Sequence, residues 1–539
     1  MKQMWKKLFT PTDMTEGTPW KKIVLFTIPM LIGNIAQQLY NTVDSIIVGR
    51  YVGDNALAAV GSASPILNLL IVLFIGISVG VSIMVAQYFG AKEREELSST
   101  IGGCVTLTAI VAIALMIVSP FVVRPMLEML HTPASIIDWC TSYLIIMMVG
   151  IAGMAYYNIL SGVLRGLGDS VSALVYLLVA TVLNIGLDLL FVAVFDMGVA
   201  GVALATVIAQ FVSAVLCLWK LMHMKEIFEF RKHHLKMSRE HTTQIIRLGL
   251  PSGLTQAIFS MAMIIVQSLT NSFGEMFIAA NVIIMRVDGF AMMPNFSFGT
   301  AMTTYAGQNA GAKQYDRINR GAKQGTLIAM GVSATITGLI LIFGKYLMGI
   351  FTETEELVDL SMRMMRILAV GYIAMGATQC LSGVMRGAGD TMTPMWISLV
   401  TTVLIRVPVA YGISWITRTP ELPNGRSECV FISLLCSWVL GALITFYFYK
   451  RGKWKKSIGK YGEITKYPMM FEKRGTSRKD ERFPLFVLKR GSCNSSDQEW
   501  RFPRYSFSSR LMQAYRNIAR MQRRTIAIRS QSSLKTWLE

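Results

Sequence analysis

The sequence predicts an all-α integral membrane fold. It has twelve transmembrane helices in two parallel six-helix lobes, related by a pseudo-two-fold axis normal to the membrane. Three observations carry this. Hydrophobic residues make up 53% of 539 residues and the mean hydropathy is +0.47, more apolar surface than a soluble domain can bury. The apolar residues gather into runs long enough to cross a hydrocarbon core about 30 Å thick. The chain also repeats itself at an offset of 221 residues. Ser-Gly-Val-Leu-Arg-Gly-Leu-Gly-Asp at 161–169 returns as Ser-Gly-Val-Met-Arg-Gly-Ala-Gly-Asp at 382–390. Gln87, Gly90, Ala91 and Lys92 return as Gln308, Gly311, Ala312 and Lys313.

Twelve spans follow in order, at 23–48, 57–89, 98–122, 136–163, 171–195, 198–222, 246–272, 277–307, 321–345, 357–384, 393–417 and 428–450. Each copy of the repeat holds six. Spans 2 and 8 exceed the bilayer thickness, so they tilt or project past one face. Closed β-barrels are excluded, because their strands are short and alternate. Residues 1–22 are polar and basic, with no short apolar core before a small-residue cleavage site. Span 1 then acts as its own insertion signal. The expected organisation is an N-terminal segment (1–22), a first lobe (23–222), an inter-lobe linker (223–245), a second lobe (246–450) and a poorly ordered basic tail (451–539).

Lys and Arg concentrate on alternate connections: the N-terminus, 90–98, 164–170, 220–247, 308–323 and the C-terminus. By the positive-inside rule both termini face the cytoplasm. Six spans per copy return the chain to the same side, so the two copies run parallel. The twin RGxGD segments then sit on cytoplasmic turns after spans 4 and 10. A glycine-rich loop could cradle phosphate, but no strand precedes these and the βαβ context is missing. A tight turn holding Arg near anionic headgroups is the better reading.

Residues 451–539 carry 22 Lys/Arg against 7 Asp/Glu. The tail has no run long enough to span, and its composition suits attraction to anionic lipid or an extension with no role. Nucleic-acid binding is not expected, because no module signature is present. The seven cysteines form no CxxC pair and read as small apolar residues, not disulfides or metal ligands.

An ionisable side chain inside a span is costly, which makes it a functional candidate. The clear cases are Asp44 in span 1, Asp188 in span 5, Arg286 and Asp288 in span 8, and Arg406 in span 11. Gln37, Tyr40, Asn41 and Asp44 share one helix face, and Asn184 and Asp188 lie one turn apart on another. Thr206 lies midway along span 6. The second copy has no counterpart for either carboxylate: Asp44 maps onto Ile265 or Val266, and Asp188 onto Val409 or Ala410. Two carboxylates, each with an amide a turn away, suit a cation or proton site, because burial and like-charge proximity both favour a protonated carboxyl. The bland reading is that these groups hydrogen-bond helices together. Arg286 and Asp288, two residues apart, do not share a face and pair with other helices. Arg406 precedes Pro408, which should kink span 11. Met261, Met263, Met292 and Met293 suit either an irregular apolar pocket or ordinary packing.

With these residues in view, the chain resembles the multidrug and toxic compound extrusion family, specifically its DinF-like branch, over roughly residues 20–450. The resemblance rests on the two six-helix halves, Asn-Thr-Val-Asp-Ser at 41–45 and Asn184-x-x-x-Asp188. The twin RGxGD turns, and Arg-Val-Asp at 286–288 followed by Met293-Pro294, also support it. It implies a secondary efflux transporter with two lobes around a central cleft, exchanging protons or sodium for amphipathic, often cationic compounds. It implies cavity groups at Tyr40, Asp44, Tyr143, Asn184, Asp188 and Thr206, with Asp44 and Asp188 binding the proton or sodium. Other branches place acidic cation ligands in the second lobe. Here span 7 has Gln256 and Gln267, and Asp359 lies only at the start of span 10, so a second-lobe sodium site is in doubt.

The expected function is ion-coupled antiport. Asp44, Asp188, Asn184 and Thr206 carry the coupling, and Gln37, Tyr40, Asn41, Tyr143, Arg286, Asp288 and Met293 line the substrate cavity. No cofactor is expected beyond the coupling ion, H+ or Na+. The partners are small amphipathic substrates, and anionic lipids held by the basic loops and tail. The protein is expected as a monomer in a bacterial inner membrane. A flippase for lipid-linked sugars is the rival within transport, expected to need a cationic central cavity. A channel is the rival from another class. An enzyme is not expected: the five His (131, 223, 233, 234, 241) lie near loops or helix ends with no catalytic spacing.

Overall fold

A computed structural model describes residues 10–458, apart from His131 and Phe230. Nearly all of the basic tail, with Cys493, lies outside the described residues.

All twelve expected spans are helical. The first lobe holds α1 (Pro19–Ile47), α2 (Asp54–Ala91), α3 (Arg94–Met129), α4 (Ile137–Val149), α5 (Ile151–Gly166), α6 (Ser170–Asp188) and α7 (Gly198–Met222). The second holds α8 (Arg239–Asn271), α9 (Glu275–Gly311), α10 (Tyr315–Gly349), α11 (Glu355–Ala369), α12 (Gly371–Gly387), α13 (Met392–Leu399), α14 (Arg406–Ile416) and α15 (Cys429–Arg451). Spans 4 and 10 are bent pairs, α4 with α5 at 51° and α11 with α12 at 43°. The bends fall beside Gly150 and Gly371, which are mates at the repeat offset. Three spans contain a π segment, at Val48–Val52, Leu189–Val194 and Val400–Ile405. The last accounts for the irregularity expected near Pro408: proline offers no N–H to the carbonyl four residues back, and the preceding turn widens instead.

Side chains on the outside of the bundle are large and apolar, among them Phe121, Ile342 and Leu443. Each lobe is built alike. α2 packs on α5 and α5 on α7, as α9 packs on α12 and α12 on α15. The lobes meet where α2 runs along α8 and α9 runs along α1 and α2. At this crossing Gly76 and Gly80 face Gly249 and Gly253. A Cβ on Gly80 would lie 2.5 Å from the Ile245 carbonyl oxygen, and one on Gly76 would lie 2.9 Å from that of Gly249. Small residues four apart on both helices allow this backbone approach.

The twin RGxGD segments do several jobs at once, at the face that carries the basic connections. Gly168 and Gly389 adopt positive φ, +87° and +95°, so each turn suits glycine. Asp169 caps α6, accepting from Ser172 N and Oγ at 2.9 and 2.7 Å. Asp390 accepts from Thr393 N and Oγ1 at 3.0 and 2.7 Å.

Two further segments fasten this basic face. Residues 12–17 bridge the lobes. Thr12 N donates to Gly168 O at 3.2 Å, and Met14 N donates to Gln308 Oε1 at 2.8 Å. Arg317 donates to the carbonyls of Met14, Glu16 and Gly17. The inter-lobe linker is docked along the first turns of α3. Glu229 N donates to Ser98 Oγ at 3.1 Å and Thr106 Oγ1 to Leu235 O at 2.7 Å. Glu95 Oε1 meets the Nε2 atoms of His233 and His234 at 3.1 and 2.9 Å, and Glu96 meets His241 at 2.8 Å.

Candidate functional site

Three cavities with mixed polar and apolar walls adjoin one another inside the described residues. The first, of about 650 Å3, lies in the first lobe. α1 presents Gln37, Tyr40, Asn41 and Asp44 to it, α4 presents Tyr143 and α7 presents Thr206. Asn184 and Asp188 of α6 stand behind them, each fully buried. Every first-lobe residue singled out in the sequence therefore converges on one place.

The hydrogen bonds there are few. Thr206 Oγ1 accepts from Tyr40 Oη at 3.2 Å and from Asn184 Nδ2 at 3.4 Å. The Asp44 and Asp188 carboxyls oppose each other directly. Asp44 Oδ1 and both Asp188 carboxylate oxygens are buried with no hydrogen-bond partner among the described residues. Two carboxylates set this close favour a shared positive charge, either a proton or a small cation. The oxygens of Asp44, Asp188 and Asn184, with Thr206 nearby, supply the hard donors that sodium takes. Each carboxylate also lies within about one turn of a π segment, where backbone carbonyls leave the regular ladder.

Residues that sequence reasoning passed over also line this cavity. Asn34 continues the α1 face one turn before Gln37, and Gln210 follows Thr206 by one turn with its Oε1 unpartnered. Both carry the helical spacing that found their neighbours.

The second-lobe cavity, of about 340 Å3, contains Asp288 and Arg406. Asp288 Oδ1 and Arg406 Nε are each buried without a hydrogen-bond partner, and no ion pair within 4.0 Å joins the two. Gln256 and Gln267 line it, with Met263 and Met292. Two expected cavity residues lie apart from these walls. Arg286 is exposed and lines none of the three cavities, and Met293 also lies outside them. The reason is helical phase. Asn281, Met285, Asp288 and Met292 form one face of α9, and Arg286 and Met293, seven apart, form the next.

Between these lies a central cavity of about 360 Å3, walled by both lobes. Arg165 and Arg386, the paired arginines of the RGxGD segments, both line it. The turn arginines thus point inward, away from the headgroups at which they were expected. Each is the last residue but one of its helix, just before the tight turn.

Two six-helix lobes around adjoining cavities define a multi-pass membrane protein. The chain belongs to the multidrug and toxic compound extrusion family: the MatE family model matches residues 29–190 and 251–412. It is 30% identical over 444 residues to the probable multidrug resistance protein YoeA of Bacillus subtilis strain 168, covering 81% of this chain and 94% of that one. It is 28% identical over 451 residues to the probable multidrug resistance protein YpnP of the same organism, covering 82% and 97%. The fold is shared with a structure described as an outward-facing conformation of a multidrug resistance MATE family transporter of the MOP superfamily. That match has a TM-score of 0.76 and 24% identity, over 84% of this chain and 99% of that one. Members of this family are transporters, not enzymes.

Proposed function

We propose that this chain is an ion-coupled efflux antiporter of the DinF-like type, exchanging protons or sodium for amphipathic, often cationic compounds. One observation supports this most: Asp44 and Asp188 oppose each other in the first lobe, and among the described residues no donor reaches Asp44 Oδ1 or either Asp188 oxygen. Such a pair takes up one positive charge from one side and gives it up to the other. Asn184 and Thr206 sit against it, and Tyr40 and Tyr143 wall the adjoining cavity. Loss or gain of the shared charge alters how α1 and α6 pack. Coupling follows if the ion and the substrate favour different lobe arrangements. In this reading both termini face the cytoplasm, the membrane is the bacterial inner membrane, and the monomer is the transporting unit. Anionic lipids contact the basic connections.

The test is gradient-driven efflux of a cationic dye from proteoliposomes, under an imposed pH gradient and separately a sodium gradient. Wild type should respond to one of them, and Asp44→Asn and Asp188→Asn should each abolish the response. Full gradient-driven efflux by both variants would sink the carboxylate role.

A further inference from the structure

We propose that Arg165 and Arg386 form an anion-binding subsite in the central cavity, one that takes the carboxylate of an amphipathic substrate. The inference builds on the transport reading by naming a substrate class, amphipathic carboxylates including zwitterions.

The two arginines are mates at the repeat offset and face one cavity from opposite lobes. Arg165 donates to Ser161 Oγ at 3.2 Å and to Ser78 Oγ at 3.4 Å. Those hydroxyls orient the guanidinium without neutralising it. No carboxylate lies within ion-pair distance of Arg165 or Arg386 among the described residues, and no Asp or Glu lines the central cavity. Of the acids nearest in sequence, Asp169 is occupied in capping α6 and Asp390 in accepting from Thr393. Two guanidinium groups in a protein-walled space with no counter-charge are costly. A ligand anion relieves that cost, and the planar fork of Arg matches a carboxylate through two parallel hydrogen bonds.

The rest of the wall fits the other end of such a molecule. Phe259, Phe296 and Trp438 contribute aromatic surface, and Met30, Ile75 and Met375 contribute adaptable apolar surface. Hydroxyls and amides, among them Ser82, Thr303 and Gln379, fill the remainder. Arg165, Met30, Asn34 and Ile75 also border the first-lobe cavity. The arginine-lined cavity thus adjoins the one that holds Asp44.

The test is equilibrium binding to the purified full chain in phosphatidylcholine nanodiscs. The probes are 1-pyrenebutanoic acid and its methyl ester, read by energy transfer from tryptophan to pyrene. Wild type should bind the acid about tenfold more tightly than the ester, roughly the value of one charge-assisted contact. The Arg165→Gln, Arg386→Gln double variant should bind both probes alike, with ester affinity close to wild type, which also reports an intact cavity. Equal affinities in wild type would overturn the proposal without recourse to any variant, as would an acid preference that survives in the double variant. No ion gradient is applied, so the result stands apart from the exchange role of Asp44 and Asp188.

Discussion

Gln87 donates its side-chain amide to the carbonyl of Gly387 at 2.8 Å. Its repeat mate Gln308 donates to Gly166, the mate of Gly387, at 3.1 Å. Each lobe thus holds the other's RGxGD turn by the same contact. Gly90 and Gly311 make room for it: a Cβ at Gly90 would lie 1.9 Å from the Gln308 carbonyl oxygen, and one at Gly311 would lie 1.8 Å from that of Gln87. The two short matches seen in the sequence are therefore two halves of one clasp, which closes the basic face.

Loosening that clasp should shift the balance between lobe arrangements. A net hydrogen bond contributes about 1 kcal/mol, so Gln87→Ala should lower the closed-to-open ratio of the basic face roughly fivefold. Gln87→Ala with Gln308→Ala should lower it further. Spin labels on the two lobes at the basic face, read by double electron–electron resonance, should show a longer-distance population growing in that order. An unchanged distance distribution in the double variant would show that the glycine crossing alone holds the face shut.

The crossing itself should tolerate no side chain. Gly80→Ala places a methyl 2.5 Å from a backbone oxygen, and neither helix can yield without parting the lobes. We expect a loss of more than about 2 kcal/mol, in the range of overpacked cores, seen as a lower melting temperature and weaker transport. Gly331→Ala in α10 meets nothing within 4 Å and serves as the control. It should be neutral or stabilising by up to about 1 kcal/mol, from helix propensity alone.

The spans were legible because each is an uninterrupted apolar run, and the duplication was legible because seven of nine residues match. The first-lobe site was legible because its polar groups recur at helical spacing in otherwise apolar helices. The rest depended on three-dimensional phase. Nothing local in Arg286 says that it points away from the cavity that Asp288 enters. Arg165 and Arg386 read as headgroup contacts because each adjoins a turn, and only the packing of α5 and α12 against the other lobe turns them inward. The Gly76/Gly80 and Gly249/Gly253 pairs were visible in the sequence, but glycine four apart becomes a contact only when two such helices cross.

Thr206 Oγ1 accepts from two donors beside the carboxyl pair. Thr206→Val keeps the shape and leaves the Tyr40 hydroxyl and the Asn184 amide without their acceptor. Each orphaned buried donor costs about 1–3 kcal/mol, so the variant should melt earlier and exchange ions more slowly. Thr206→Ser restores the oxygen and should recover most of both. If Val and Ser behave alike in proteoliposome flux, the hydroxyl plays no part in the site.

Asp169 lies in the turn between α5 and α6, outside the spans, and should make stability depend on pH. Burial raises its carboxyl above the ordinary range, against the opposing pull of Ser172 and Lys220. The folded state then holds this proton to higher pH than the unfolded chain does. Stability falls as pH climbs from the unfolded value, about 3.9, through the folded one, and the contribution is constant below both. Asp169→Asn removes the titration while keeping a cap acceptor for Ser172, so its melting temperature should fall less steeply over that range. Asp169→Ala removes the cap as well and should melt earlier at every pH, by the ~1 kcal/mol that a lost N-cap costs. Thermal unfolding of the three proteins across pH 4 to 8, followed by tryptophan fluorescence, separates the two effects. Parallel wild-type and Asn curves would mean that Asp169 does not titrate differently on folding.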